Sequence, residues 1–192
     1  MGVDGEPRRP KGAIVEALVT SDGRMIGAAT AVRAATRDDA AAIARIHNQA
    51  VATGAGSRET REQSEAERRA WLEGLVAKGY PVLVATWGGE VVGFGAVTPF
   101  HPASGYARTA SGSLYVEASA RGAGVGKALG RELLAAARAR NVHTIIAGID
   151  AENVASIRLH ESHGFERVGH FREIAWRDGR WRDDVCMQLI LG

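Results

Sequence analysis

The sequence predicts an α/β domain built on a mixed sheet, and three observations carry that prediction. Residues 113–117 read as a strand that runs through a glycine-rich turn at 120–127 into an apolar-periodic stretch at 128–140. A compact helix with legible ends follows at 153–164. Around these landmarks, strand and helix patterns succeed one another in the order βααβββαβαββ, which suits helices laid against one sheet. The 192 residues, 45% of them hydrophobic, suffice for one domain with a sizeable core and a tail.

Taken in order, residues 1–30 show no convincing period, because Gly2, Gly5, Pro7, Pro10 and Gly12 interrupt them. They read as a disordered or variable leader before a domain at 31–192. Residues 31–35 form a first strand, and Thr36 with Asp39 caps a helix at 40–51 that buries Ile43, Ile46 and Ala50. After a polar loop at 53–61, Ser64 and Glu67 make a capping box for a second helix running through Lys78. Its inward residues are expected to be Trp71, Leu75 and Val76, with Gly79 as the stop. Residues 82–86 and 91–98 pair as a hairpin about Gly88-Gly89. The apolar run 143–149 suits a strand buried on both faces, and strands at 166–171 and 184–191 close the sheet. A turn rich in tryptophan and arginine, 176–182, joins the last two.

Composition narrows the function classes. A net charge of +2 with a pI near 9.0 is only mildly basic, and no basic run interleaved with aromatics marks a nucleic-acid surface. The single Cys186 excludes an internal disulfide and a cysteine-rich metal site, so no metal is expected. No apolar stretch has the length of a membrane span and no signal peptide is evident, so the cytoplasm is the expected location and no membrane partner is expected.

The turn at 120–127 carries the chemistry. A helix that opens on almost bare backbone offers unpaired N–H groups and the positive end of its dipole, and so can hold a diphosphate. Gly122, Gly124 and Gly126 remove side chains that would keep phosphates away, and Arg121 and Lys127 add positive charge at the rim. A Walker A loop is excluded, because Lys127 is followed by Ala128 and Arg121 stands where its first glycine belongs. A Rossmann fingerprint is excluded too: its last glycine would fall on Lys127 or Leu129.

What remains, Arg-Gly-x-Gly-x-Gly between strand and helix, resembles the acetyl-CoA pyrophosphate loop of the GNAT N-acetyltransferases. A second motif agrees in order and spacing. Asn153 as N-cap, Ser156-Ile157, His160 and Gly164-Phe165 resemble that superfamily's Asn-x-x-Ala/Ser-Ile-x-Leu-Tyr-x-x-x-Gly-Phe helix, with histidine where many members have tyrosine. Stretches such as Lys78-Gly79-Tyr80-Pro81-Val82 and Gly179-Arg180-Trp181 resemble the phosphinothricin/methionine sulfoximine acetyltransferase branch over roughly residues 31–191.

The resemblance implies the GNAT acyl-CoA N-acyltransferase fold, acetyl-CoA as cosubstrate and a homodimer acting on a small-molecule amine. It implies cofactor contacts from Leu114, Tyr115, Val116, the loop Arg121, Gly122, Ala123, Gly124, Val125, Gly126 and Lys127, and from Asn153 and Ser156. His160 takes the place of the tyrosine that protonates the leaving thiolate and is the implied catalytic residue. Tyr106, Arg108 and Ser111 fall in the acceptor region. Several positions depart from the branch. Ser111 replaces a glutamate usually assigned as base, Ser57 an aromatic residue, and His101 and Ala103 two arginines.

His143 and His163 read as structural, His47 as core, and Glu117 as a solvated carboxylate or an alternative base. The expected activity is acetyl transfer to an amino acid or a close analogue. An N-acetyltransferase of peptide or protein N-termini, or a catalytically weakened acyl-CoA-binding module, are the readings beside it.

Overall fold

The computed structural model describes residues 30–54 and 56–192, together with the backbone of two short antiparallel strands, β1 (Leu18–Val19) and β2 (Met25–Ile26). The remainder of the expected leader lies outside the described residues. The seven-stranded sheet runs β3-β4-β5-β6-β7-β9-β8. Its strands are β3 (Ala31–Ala34), β4 (Val82–Trp87), β5 (Glu90–Pro99), β6 (Thr109–Val116), β7 (Thr144–Asp150), β8 (Glu166–Arg177) and β9 (Arg180–Ile190). Among the described residues four α-helices complete the domain, α1 (Ala40–Thr53), α2 (Glu65–Ala77), α3 (Val125–Ala139) and α4 (Val154–Ser162). With β1 and β2 set aside, this is the order βααβββαβαββ.

Local chemistry fixes the helix ends. Asp39 accepts from the Thr36 N–H and hydroxyl and receives both guanidinium nitrogens of Arg33, which ties β3 to the start of α1. Ser64 and Glu67 form the expected capping box on α2. The inward face of α2 differs from expectation. Leu72 and Leu75 are buried, but Val76 is 53% exposed and Arg68 occupies the inward position instead. The spacing 68, 72, 75 follows one helical face, and residue 76 is turned off it. In α4, Ile157 is buried and Val154 is exposed.

The helices sandwich the sheet. α1 and α2 pack Ile43, Ile46, Leu72 and Leu75 against Val84, Phe94 and Ala96, while α3 covers the other face with Val125, Leu129 and Leu133. Each of the Val, Leu, Ile and Phe side chains removed from water contributes about 1.5–3 kcal/mol. Gly95 lets α3 approach, since a Cβ there would stand 3.2 Å from Leu133 Cδ2. β6 begins at Thr109, and α3 at Val125, three residues before the expected start.

One irregularity positions the site. β5 and β6 pair along their length, Gly93↔Val116 to Pro99↔Ala110, all antiparallel. β6 and β7 are parallel and pair only at Thr109↔Thr144, Ala110↔Ile145 and Ser111↔Ile146. Beyond Ser111 the two strands part, leaving a wedge open between 112–116 and 147–150. β7 is therefore not buried on both faces: Ile145, Ala147 and Ile149 are buried, but Gly148 is exposed.

Candidate active site

The wedge opens into a cleft of about 750 Å³ lined from five directions. β6 contributes residues 112–116, β7 residues 147–150, the α3 start Arg121, Gly122, Gly124, Gly126 and Lys127, α4 Asn153, Ser156, Leu159 and His160, and the loop after α1 Gly56, Ser57, Arg58 and Glu59. His47, Arg68 and Trp71 complete it from α1 and α2.

The glycine turn is built as an anion site, though its glycines have different reasons. Gly122 and Gly124 have φ of +77° and +83°, where a Cβ is strained, and Gly124 is the N-cap of α3. Gly126 has a packing reason, because its Cβ would stand 3.1 Å from Leu159 Cδ2 of α4. Arg121 donates Nε–H to the Val116 carbonyl at 3.0 Å, which holds its guanidinium beside the end of β6. Ala123 and Val125 do not line the cleft, and the Val125 side chain is buried in the core. The open β6 edge, the left-handed turn and the bare start of α3 fit an acyl thioester carried on a diphosphate-containing cofactor.

α4 carries the candidate proton-transfer group. The Asn153 side chain accepts from the Ser156 N–H at 3.0 Å and caps the helix. His160, one turn on, donates Nδ1–H to the Ser156 carbonyl at 2.8 Å and stands edge-on to Phe165 at 5.0 Å. Burial holds its pKa below the usual histidine value, only partly offset by that hydrogen bond. At neutral pH the ring is therefore uncharged, with Nε2 free to accept a proton.

The opposite end of the cleft is enclosed by α1, α2 and their connecting loop. Arg177, from the end of β8, donates to the carbonyls of Ser57 at 2.8 Å, Glu59 at 3.0 Å and Val51. Arg58 crosses to Asp184 and Asp150, and Asn48 exchanges two hydrogen bonds with Gln63. Tyr115 turns away from Leu114 and Val116 into this end, stacked on Phe94 at 5.0 Å and edge-on to His47 at 5.4 Å. His47, read as core, is buried and also faces the cleft, with the Ser57 hydroxyl 3.4 Å from its Nε2.

The other expected residues lie elsewhere. Tyr106 is exposed and packs on Phe100 and His101, Arg108 donates to the Asn141 carbonyl, and Ser111 sits in the sheet between Thr98 and Ile146. None of the three is in the cleft lining. Glu117 is ion-paired with Arg45 and also outside it. Arg68 and Glu59 line the cleft and were not expected. The signal for Arg68 was a charge on the face of α2 shared by Leu72 and Leu75. Among the described residues no cluster of three metal-ligating side chains occurs, and no helix is long and apolar enough to cross a membrane.

The acetyltransferase (GNAT) family is matched over residues 45–165, and the chain belongs to that family. It is 37% identical over 160 residues to an L-methionine sulfoximine/L-methionine sulfone acetyltransferase of Salmonella typhimurium, covering 83% of this chain and 94% of that one. A phosphinothricin acetyltransferase from Sinorhizobium meliloti, solved in complex with acetyl-CoA, matches with a TM-score of 0.82 at 33% identity, covering 85% and 89% of the two chains. A ribosomal-protein-alanine N-acetyltransferase from Brucella melitensis matches with a TM-score of 0.81 at 41% identity, covering 83% and 99%.

Proposed function

We propose that this acetyltransferase moves the acetyl group of acetyl-CoA onto the amino group of a small amino acid or analogue of the methionine sulfoximine, methionine sulfone and phosphinothricin type. The observation that carries this reading is the shape of the cleft. Its anion-binding mouth at α3 and the open β6 edge run into an acceptor end enclosed by α1, α2 and the loop that Arg177 holds down. The named relatives support the same substrate class.

Acetyl-CoA supplies an acetyl thioester, and Gly122, Gly124, Lys127 and the open edge of β6 hold it. The acceptor enters as the free amine, its ammonium proton passing to solvent. As its nitrogen bonds to the acetyl carbon, His160 Nε2 takes the surplus proton. It then returns that proton to the departing sulfur as the carbon–sulfur bond breaks, so the histidine ends uncharged, as it began. The backbone N–H groups of Leu114 and Val116, which face the edge that β7 leaves unpaired, are the donors available to polarise the acetyl carbonyl.

The same reading places the enzyme in the cytoplasm as a homodimer. Phe171, Ile174, Trp176 and Trp181, exposed on the β8–β9 ribbon, support the dimer. A second reading, acetylation of a protein N-terminus, is favoured by the likeness to the Brucella melitensis structure. Release of CoA thiol from acetyl-CoA with L-methionine sulfoximine, phosphinothricin, free amino acids and peptides tests both. Release that depends on a free amino acid or analogue supports the first reading. Release with peptides alone supports the second.

A further inference from the structure

Arg68 is 6% exposed, yet among the described residues its guanidinium takes part in no ion pair and its Nε has no hydrogen-bond partner. It lines the acceptor end of the cleft, held over the Trp71 ring at 5.1 Å. A guanidinium does not shed its proton to escape burial, so a buried one calls for an anion. Neighbouring groups do not supply it. Glu67 is committed to Arg61 and to Ser64, and Glu59, although in the same cleft, forms no ion pair with Arg68. Burial pushes the Tyr115 phenol up, so it carries no charge at neutral pH. The other cations of the cleft are engaged or distant from this end: Arg58 pairs with Asp150 and Asp184, and Arg121 and Lys127 stand at the α3 mouth.

We infer that Arg68 is the specificity residue that binds the carboxylate of the acceptor, restricting the enzyme to small amines that carry an anionic group beside the nitrogen. The inference rests on the reading of the site as one for free amino acids. The planar guanidinium offers two parallel N–H donors matched to a carboxylate. The guanidinium lies over the Trp71 ring, which itself meets Phe94 edge-to-face at 6.2 Å. A peptide bond in place of the carboxylate leaves Arg68 buried without its partner, so a chain N-terminus is disfavoured.

The test compares an amino acid with its α-carboxamide as acceptors for the wild-type enzyme, Arg68→Lys and Arg68→Met. The wild type should prefer the acid by about 10- to 100-fold in kcat/KM, the scale of a charge-assisted pair. Arg68→Met should lose the preference through KM, with turnover on the carboxamide retained, and Arg68→Lys should keep part of it. Thermal stabilisation by the same two ligands in the presence of CoA reads binding without turnover. Arg68→Met that still discriminates acid from amide, or that loses both equally, overturns the inference. If the wild type turns over no free amino acid, the functional reading fails, and the thermal arm decides the inference alone. Stabilisation that depends on the carboxylate and disappears in Arg68→Met upholds it, and stabilisation indifferent to the carboxylate refutes it.

Discussion

His160 gives its Nδ1–H to the Ser156 carbonyl one turn earlier in α4, at 2.8 Å, and this bond sets which ring nitrogen is open to proton transfer. It fixes the tautomer, so Nε2 carries the lone pair. A neutral imidazole held this way is a proton acceptor first and a donor only after it has been loaded. The sequence alone implied a residue that protonates the thiolate. In the mechanism proposed above, that step is the second half of a relay.

His160→Ala should lower kcat by about 10²–10⁴-fold, the usual worth of general acid–base help, with little change in the dissociation constant for acetyl-CoA. Steady-state kinetics combined with equilibrium binding of acetyl-CoA checks the split. An unchanged kcat would remove His160 from the mechanism.

Acid should weaken the enzyme in two ways. His47, His160 and His163 all have pKa values held below 6.5, in each case chiefly by burial. The unfolded chain binds protons at these sites more readily than the folded one, so the stability they contribute is complete above about pH 6.5 and lost as pH falls through the folded values. Urea midpoints should therefore drop between about pH 7 and pH 5. The acid limb of kcat should also lie below the ordinary histidine value and vanish in His160→Ala.

Gly130 shows how tightly α3 meets α4. A Cβ there would stand 2.4 Å from His163 Nε2, a buried atom with no hydrogen-bond partner. Gly130→Ala should cost about 1–3 kcal/mol by overpacking, despite the better helix propensity of alanine. His163→Ala in the same chain should restore much of the loss, and a double-mutant cycle of denaturation free energies measures the coupling.

Arg177→Ala should release the loop over the acceptor end, because one guanidinium ties two of its carbonyls, Ser57 and Glu59, to the Val51 carbonyl near the end of α1. The expected result is a stability loss of about 2 kcal/mol and a raised KM for the acceptor, with acetyl-CoA binding unaffected. Equal loss of both affinities would mean that the loop does not belong to the acceptor end.

Much of this fold was legible because its landmarks are local. The spacing of Gly122, Gly124 and Gly126, the cap at Asn153 and the stop at Gly164 each dictate backbone geometry within a few residues. The reason for Gly126 was not legible, since Leu159 reaches it from another helix. Val76 was misplaced because the α2 face is anchored by Arg68, and an arginine beside a second one, Arg69, reads as solvated. The acceptor end was the least legible part: Ser57, Glu59, Arg68, Tyr115 and Asp150 come from four segments that meet only when the chain is folded. Tyr106 and Arg108 lie outside that meeting point.

The central claim is that one cleft joins a CoA mouth to an enclosed site for a free amino acid or analogue. The most direct measurement is mass spectrometry of the products formed from acetyl-CoA and a mixture of free amino acids, methionine sulfone, the matching α-carboxamides and short peptides. Acetylation is expected on the amino nitrogen of a free acid-bearing acceptor, with carboxamides and peptides left largely unmodified. Acetylation of peptides alone, or no product from enzyme that binds acetyl-CoA, would contradict it.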